Sequence, residues 1–157
     1  MPDEITIEQI DLKSDDHVAE AIDLVARFAE ELGTPLDWPT KVALPSLFLR
    51  RKADIILARR EGEAVGVIVC QRTIVTFQGA EALNIHDLFV EESARRCGVG
   101  KRLMEHTIAL ARSIGCVRVT LEVDTINQNA RHFYRALGFE LPEDGARELH
   151  YIRLPLD

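Results

Sequence analysis

Arg95-Arg96-Cys97-Gly98-Val99-Gly100 sets two glycines and two guanidinium groups between an apolar run and an amphipathic one. Without a Cβ, Gly98 and Gly100 let the backbone take unusual dihedrals and lie close to a ligand. The first N–H groups of a following helix have no carbonyl partner, so an anion seated there meets free donors and the positive end of the helix dipole. Arg95, Arg96, Lys101 and Arg102 crowd four positive charges into residues 95–102 of a chain whose formal net charge is −7. The hexapeptide reads as a turn built to hold phosphate. Taken alone, it also reads as ordinary turn chemistry before a helix, with solvated basic residues.

The flanks raise the first reading. Upstream, Ile85-His86-Asp87-Leu88-Phe89-Val90 reads as a buried strand. Downstream, Val99, Leu103, Leu110 and Ile114 share one helical face, Met104, Ile108 and Ala111 lie beside them, and Arg102, Glu105 and Arg112 stand opposite. Gly115 is placed to close that helix. A P-loop would follow Gly-Lys with Ser or Thr, but Gly100-Lys101 is followed by Arg102. A dinucleotide fingerprint would need a third glycine where Leu103 stands.

A strand, a short connection, Arg-x-x-Gly-x-Gly and a long helix remain, and this order resembles the pyrophosphate loop of the GCN5-related N-acetyltransferase (GNAT) family. A second block carries the same resemblance. After Leu121-Glu122-Val123 comes Asn127-Gln128-Asn129-Ala130-Arg131-His132-Phe133-Tyr134-Arg135-Ala136-Leu137-Gly138-Phe139, similar to the family's second coenzyme-A motif in its Asn, Ala, Tyr and Gly-Phe. The two blocks cover the C-terminal half of the chain in the family's order. The resemblance implies an α+β fold over residues 1–157 as a single domain. It implies a mixed twisted sheet of about six to seven strands, about four helices and a splayed central strand pair.

Composition sets the outer bounds. A chain of 157 residues, 46% hydrophobic and 29% charged, is one soluble domain's worth. No apolar run reaches the ~18 residues of a membrane helix, and Met1-Pro2-Asp3-Glu4 is the reverse of a signal peptide's basic start, so the expectation is a cytoplasmic protein without a membrane partner. Cys70, Cys97 and Cys116 give neither a disulfide framework nor a zinc spacing, and no metal site is expected. An acidic chain is also a poor partner for nucleic acid. A homodimer would be the commonest oligomer for such a chain.

Along the chain, residues 4–10 suit an opening strand. Ser14 caps a helix whose stripe is Val18, Ile22, Val25, Ala29 and Leu32, ended by Gly33. Thr34-Pro35-Leu36-Asp37-Trp38-Pro39 reads as a turn-rich connection, followed by a helix from Thr40 to Arg51 that Pro45 kinks or delays. Asp54 to Arg60 and Ala64 to Phe77 form strands around a hairpin at Glu61-Gly62-Glu63. Gln78 to Glu81 turns the chain into the strand ending at Val90. Residues 117–123 alternate as a half-buried strand. Thr125 and Gln128 have capping-box spacing for a last helix that stops at Gly138, and Glu148 to Leu154 closes the sheet.

The family resemblance implies acetyl-CoA as co-substrate. Its arm would lie along Leu88, Phe89 and Val90, and its phosphates would lie on Arg95, Arg96, Cys97, Gly98, Val99, Gly100 and Lys101. Asn127 and Ala130 would stand near the arm; Asn127 reads equally as a helix cap. Transfer to an amine requires the neutral nitrogen, and deprotonating a lysine-like amine at pH 7 costs about 4.6 kcal/mol. Glu122 is the first candidate base, with His86 and Asp87 as competitors; Glu122 also reads as the polar face of its strand. Histone-type members carry a Glu where Asn84 stands, which argues against histone-like lysine acetylation. Tyr134 matches the family's general acid for the departing thiolate, although Ala130, Phe133, Tyr134 and Leu137 also share a face that suits a core tyrosine. Cys97 reads as a reactive thiol or as a small filler.

The expected activity is transfer of an acetyl group from acetyl-CoA to a primary amine of a small molecule or peptide N-terminus. The alternative is an acyl-CoA-binding sensor or partner module without turnover. Residues 33–46 and 140–148 would shape the acceptor side, with Trp38, Leu36 and Phe48 as an apolar wall or as core.

Overall fold

Two strand-forming runs around a two-residue turn build the centre of the sheet in the computed structural model, which describes residues 4–144 and 152–156. Glu61 and Gly62 both take positive φ, 51° and 85°, the twist that lets a two-residue hairpin loop close without splaying its strands. The turn joins β2 (Asp54–Arg60) to β3 (Glu63–Val75). Strand β1 (Ile5–Gln9) pairs antiparallel with β2, and β4 (Ala80–Val90) pairs antiparallel with β3. Strand β5 (Val119–Leu121) pairs parallel with β4, giving a mixed five-stranded sheet in the order β1-β2-β3-β4-β5.

Four α-helices complete the described residues: α1 (Asp15–Glu31), α2 (Trp38–Arg51), α3 (Val99–Ser113) and α4 (Gln128–Ala136). The chain divides into two units, Met1–Glu122, which holds the sheet and three helices, and Val123–Asp157, which holds α4. Among the described residues the sheet has five strands where about six to seven were expected. In the closing-strand expectation, residues 148–151 lie outside the described residues, and Ile152–Leu154 carry no strand.

Each face of the sheet has its own core because strand side chains alternate. Ile55, Leu57, Val67, Val69 and Phe89 pack with Val18, Ala21 and Leu24 of α1 and Phe48 of α2. Of the expected α1 stripe, Val18 is buried and Ile22 and Val25 pack against the core, but Ala21 and Leu24 are buried more deeply and Leu32 is 66% exposed. Helix α2 starts two residues before the expected Thr40, because Asp37 Oδ1 accepts from Thr40 N at 2.9 Å and Pro39 sits where a missing N–H costs nothing. Phe48 is core, while Trp38 is 75% exposed, so the two do not form one wall.

On the opposite face, Gly66 determines how closely α3 approaches. A Cβ built there would stand 2.9 Å from Leu103 Cδ1 and 3.3 Å from Val99 Cγ1, and both residues are buried. Gly66 also pairs with Val90, so the start of α3 rests directly over the end of β4. Gly66→Ala is expected to destabilise the protein by about 1–3 kcal/mol through overpacking, read as a lower urea midpoint with an unchanged slope. An unaltered midpoint would show that α3 can back away freely.

Candidate functional site

Strand β4 loses its neighbour partway along. It pairs with β5 only at Leu83↔Val119, Asn84↔Thr120 and Ile85↔Leu121, then runs on to Val90. Asn84 Nδ2 donates to Thr120 Oγ1 at 2.9 Å and pins the last rungs. On the other edge the register with β3 slips: Val69 faces Asp87 and Cys70 faces Ile85, which leaves His86 as the extra residue of a bulge. A bulge bends its strand, and this one lies where β5 departs. Residues 86–90 therefore form an edge with no strand pairing to β5 among the described residues. Of the backbone groups expected to meet a pantetheine arm, Val90 O already accepts from Arg95 Nε at 2.8 Å. The expected buried strand is only partly buried: Ile85 and Phe89 are buried, His86 is exposed, and Asp87, Leu88 and Val90 are half-buried. Strand β5 ends at Leu121, so Glu122 lies beyond it, exposed, rather than on the strand bordering the gap.

The connection from Glu91 to Gly98 is pinned from several sides. Glu91 N donates to Val65 O at 2.8 Å, Arg60 Nη1 donates to Ser93 O at 3.0 Å, and Ala94 is fully buried. Two residues then take left-handed φ, Arg96 at 63° and Gly98 at 78°. Lys52 and Glu61 also have positive φ, but they sit at a helix end and a hairpin turn, where such values are ordinary. Arg96 has no such excuse, and strain of this kind collects at functional sites.

Helix α3 begins at Val99, and its first carbonyl partner is Gly98 O, which accepts from Arg102 N at 3.1 Å. The amides of Val99, Gly100 and Lys101 precede that bond and have no intrahelical acceptor. A Cβ on Gly98 would meet nothing within 4 Å among the described residues, so the turn just before these amides is open at that point. The donors, the open turn and the dipole fit an anionic group such as a pyrophosphate.

Fewer of the four cationic side chains are free than the sequence indicates. Arg95 Nη2 donates to Glu31 Oε2 at 2.5 Å, Arg102 Nη1 donates to Ile5 O at 2.7 Å, and Lys101 lies 3.8 Å from Glu105. Among the described residues Arg96 alone of the four has no such contact. Cys97 is exposed, its Sγ 3.4 Å from Arg95 O, so it does not fill a core position.

Around the bulge, three polar groups form a chain. The Gln71 amide lies 3.4 Å from His86 Nε2, and its oxygen, turned toward α2, accepts from Arg51 Nε at 3.0 Å and Nη2 at 2.6 Å. The amide nitrogen then donates to His86 Nε2, which places the ring proton on Nδ1 and occupies the lone pair a base would use. Asp87 lies on the α1 face beside Val69, and burial pushes its carboxyl above the usual range, partly offset by His86.

In the second unit, α4 is capped by Asn127, whose Oδ1 accepts from Ala130 N at 3.1 Å; the cap is Asn127 rather than the Thr125 box. Tyr134 stands edge-on to Phe133 at 5.3 Å and to Phe139 at 5.6 Å, and burial raises its hydroxyl pKa. Arg135 Nε donates to Asp144 Oδ2 at 2.9 Å, which ties the helix to the residues after it. A groove of about 480 Å³ lies between α1 and α2, lined by Asp15, Val18, Ile22, Asp23, Lys41 and Pro45 among others. It contains no residue of β4 or of the loop.

Sequence reasoning missed Gly66, whose signal was an isolated glycine inside a strand pattern. It also missed Glu31 and Arg27, for which no local signal exists.

The profile of the acetyltransferase (GNAT) family matches residues 19–139. An uncharacterised N-acetyltransferase of Archaeoglobus fulgidus is 33% identical over 100 residues, 63% of this chain and 68% of that protein. A 5-NmdU N-acetyltransferase of Pseudomonas phage PaMx11 is 35% identical over 103 residues, 66% of this chain and 69% of that protein. The solved structure of an aminoglycoside acetyltransferase from an uncultured soil metagenomic sample, in complex with sisomicin, superposes with a TM-score of 0.81. It is 20% identical and covers 98% of this chain and 97% of its own.

Proposed function

The chain belongs to the acetyltransferase (GNAT) family and is an acyl-CoA-dependent N-acetyltransferase, and from that premise we propose that it moves the acetyl group of acetyl-CoA onto a primary amine of a small molecule or a peptide N-terminus. The observation that carries this reading is the left-handed turn at Gly98, which precedes three amides with no intrahelical acceptor and follows a strand that, among the described residues, has no pairing to β5 beyond Ile85. The amides of Val99, Gly100 and Lys101, with Arg96, would hold the pyrophosphate, and the edge at Leu88 and Phe89 would hold the arm by strand-like hydrogen bonds.

The amine nitrogen forms the new C–N bond as the C–S bond breaks, so one proton must leave nitrogen and the departing sulfur needs stabilisation. Tyr134 would donate to that sulfur. Its ordinary pKa of ~10 exceeds a thiol's ~8.5, and burial raises it further, so hydrogen bonding to the thiolate is a better description than full proton transfer. For the base, Asp87 suits the role better than Glu122. A half-buried carboxyl with a raised pKa matches a proton acceptor near neutral pH more closely than an exposed one does. His86 is disfavoured because Gln71 occupies its Nε2.

Asp87→Asn should therefore be both slower and more stable. A carboxyl whose native pKa is raised adds stability only below its unfolded value of ~3.9, and that contribution is lost as pH rises through the native value. At pH 7 the ionised Asp87 is a cost that Asn removes. The variant should melt higher than wild type at pH 7, lose the advantage toward pH 3, and turn over at least ~10-fold more slowly. Wild-type turnover in Asp87→Asn would return the role to Glu122 or to water.

The acceptor class is tested by incubating the protein and acetyl-CoA with pooled polyamines, aminoglycosides, amino acids and N-terminal peptides, with products detected by mass. One acetylated class is expected, and a cationic small molecule suits a chain with a net charge of −7. Bound acetyl-CoA with no acetylated product would favour the binding module without turnover.

A further inference from the structure

The sequence makes Arg95 a phosphate cation, but in the fold its guanidinium is already engaged. Nε donates to Val90 O at 2.8 Å, Nη2 donates to Glu31 Oε2 at 2.5 Å, and the group lies 5.6 Å from the centre of the Phe89 ring. A second rung lies four residues earlier on both partners. Arg27 Nη1 donates to Glu91 Oε1 at 2.5 Å, and Asp23 steadies Arg27 at 2.9 Å. Residues 27 and 31, neighbours on one face of α1, thus meet residues 91 and 95, and the signs reverse from one rung to the next. Phe28, from the same part of α1, stacks on Phe89 at 5.5 Å and 15°.

Resting on the reading of residues 96–101 as the phosphate cradle, we propose that Glu31 is a positioning residue for the coenzyme: acting through Arg95, it fixes the entry to the loop against α1, so that Arg96 and the first amides of α3 stay aimed at the phosphates. Stability is a poor reason for the ladder. Side chains that are 47% exposed for Glu31 and 38% for Arg95 form an ion pair that solvent largely screens. What the reversed signs do specify is register. Shifting α1 by one turn against the connection would set Arg27 opposite Arg95, or Glu31 opposite Glu91. The aromatic stack adds an apolar contact at the same place, and Val90 O holds Arg95 at the last residue of β4. The left-handed Arg96 follows at once, so an error at Arg95 is passed directly to the phosphate-facing backbone.

A direct role for Arg95 predicts the opposite behaviour. If its charge bound phosphate, Glu31 would compete with the ligand, and removing the carboxylate would tighten binding. The test titrates acetyl-CoA calorimetrically into the full chain as wild type, Glu31→Gln, Arg95→Gln and the double variant, with a thermal melt of each. Each single change is expected to weaken acetyl-CoA about fivefold, and the double no further than the weaker single, because both act through one contact. KM for acetyl-CoA should rise with kcat at saturation unchanged, the melts should coincide, and Glu31→Asp should recover part of the affinity. Glu31→Gln binding as tightly as wild type or more tightly, while Arg95→Gln weakens, would overturn the proposal and make Arg95 a direct phosphate ligand. Losses that simply add in the double variant would also overturn it. A wild type with no affinity for acetyl-CoA would be a different failure, that of the coenzyme reading on which the proposal rests.

Discussion

Gly98→Asp is expected to lose at least ~100-fold in acetyl-CoA affinity while the protein stays folded. Gly98 has φ 78°, where an L-residue costs about 1–2 kcal/mol, and Asp and Asn tolerate that region better than most. Nothing lies within 4 Å of a Cβ there, so the side chain fits sterically. Its carboxylate would stand at the N-cap of α3, next in sequence to the Val99, Gly100 and Lys101 amides proposed to hold the phosphates. Two like charges ~4 Å apart repel by about 4 kcal/mol at an effective dielectric of 20, more than enough for the stated loss after screening. Gly98→Asn has the same shape and no charge, so it should lose less than ~10-fold, with the backbone cost common to both. Titration of acetyl-CoA and melting of both variants check this. Equal losses would assign the effect to backbone strain, and tight binding by Gly98→Asp would move the phosphates elsewhere.

Tyr134→Phe should lower kcat by about 10- to 100-fold and leave KM for acetyl-CoA within about twofold. Phe keeps the edge-on contacts with Phe133 and Phe139, so the melting temperature should hold. The change removes only the hydroxyl. Burial pushes that hydroxyl's pKa above its ordinary value of ~10, so in the wild type it remains a donor through the neutral range. Any loss of activity from its ionisation belongs above pH ~10, and an alkaline limb near neutrality must come from another group. Steady-state kinetics of the purified variant decide the matter; an unchanged kcat removes Tyr134 from the reaction.

Local chemistry was legible wherever one residue type had to do one job. Glu61-Gly62 announced its hairpin, Ser14 its cap, and Gly98 the unusual backbone before α3, whereas Gly100 lies inside the helix without a positive φ. Asp37 followed by Trp38-Pro39 carried a helix start that the many turn-forming residues before it obscured. The face of α1 was placed only in part because apolar residues at 18, 21, 22, 24, 25, 28 and 29 make a wide arc, and only the sheet beneath selects which of them is buried. Alternation over residues 117–123 did not hold as expected, since Val117 is exposed and Val119, Thr120 and Leu121 are alike half-buried, and it could not show that pairing with β4 stops after three rungs. The bulge at His86 and the ladder from Arg27 and Glu31 to Glu91 and Arg95 depend on partners distant in sequence, and no spacing rule encodes them. The turn before α3 stands where the motif set it, but the free charge was overcounted, because Glu31 pairs with Arg95 and the Ile5 carbonyl ties down the Arg102 guanidinium.

The most direct test of the phosphate cradle is a paired titration of the full chain with acetyl-CoA and with S-acetylpantetheine, which carries the thioester and arm but no phosphates. Acetyl-CoA is expected to bind at least ~100-fold more tightly, since charge-assisted hydrogen bonds to the loop contribute roughly 1.5–3 kcal/mol each. Gly98→Asp should erase most of that difference. Equal affinity for the two ligands would contradict the assignment of residues 96–101 as the coenzyme's phosphate site.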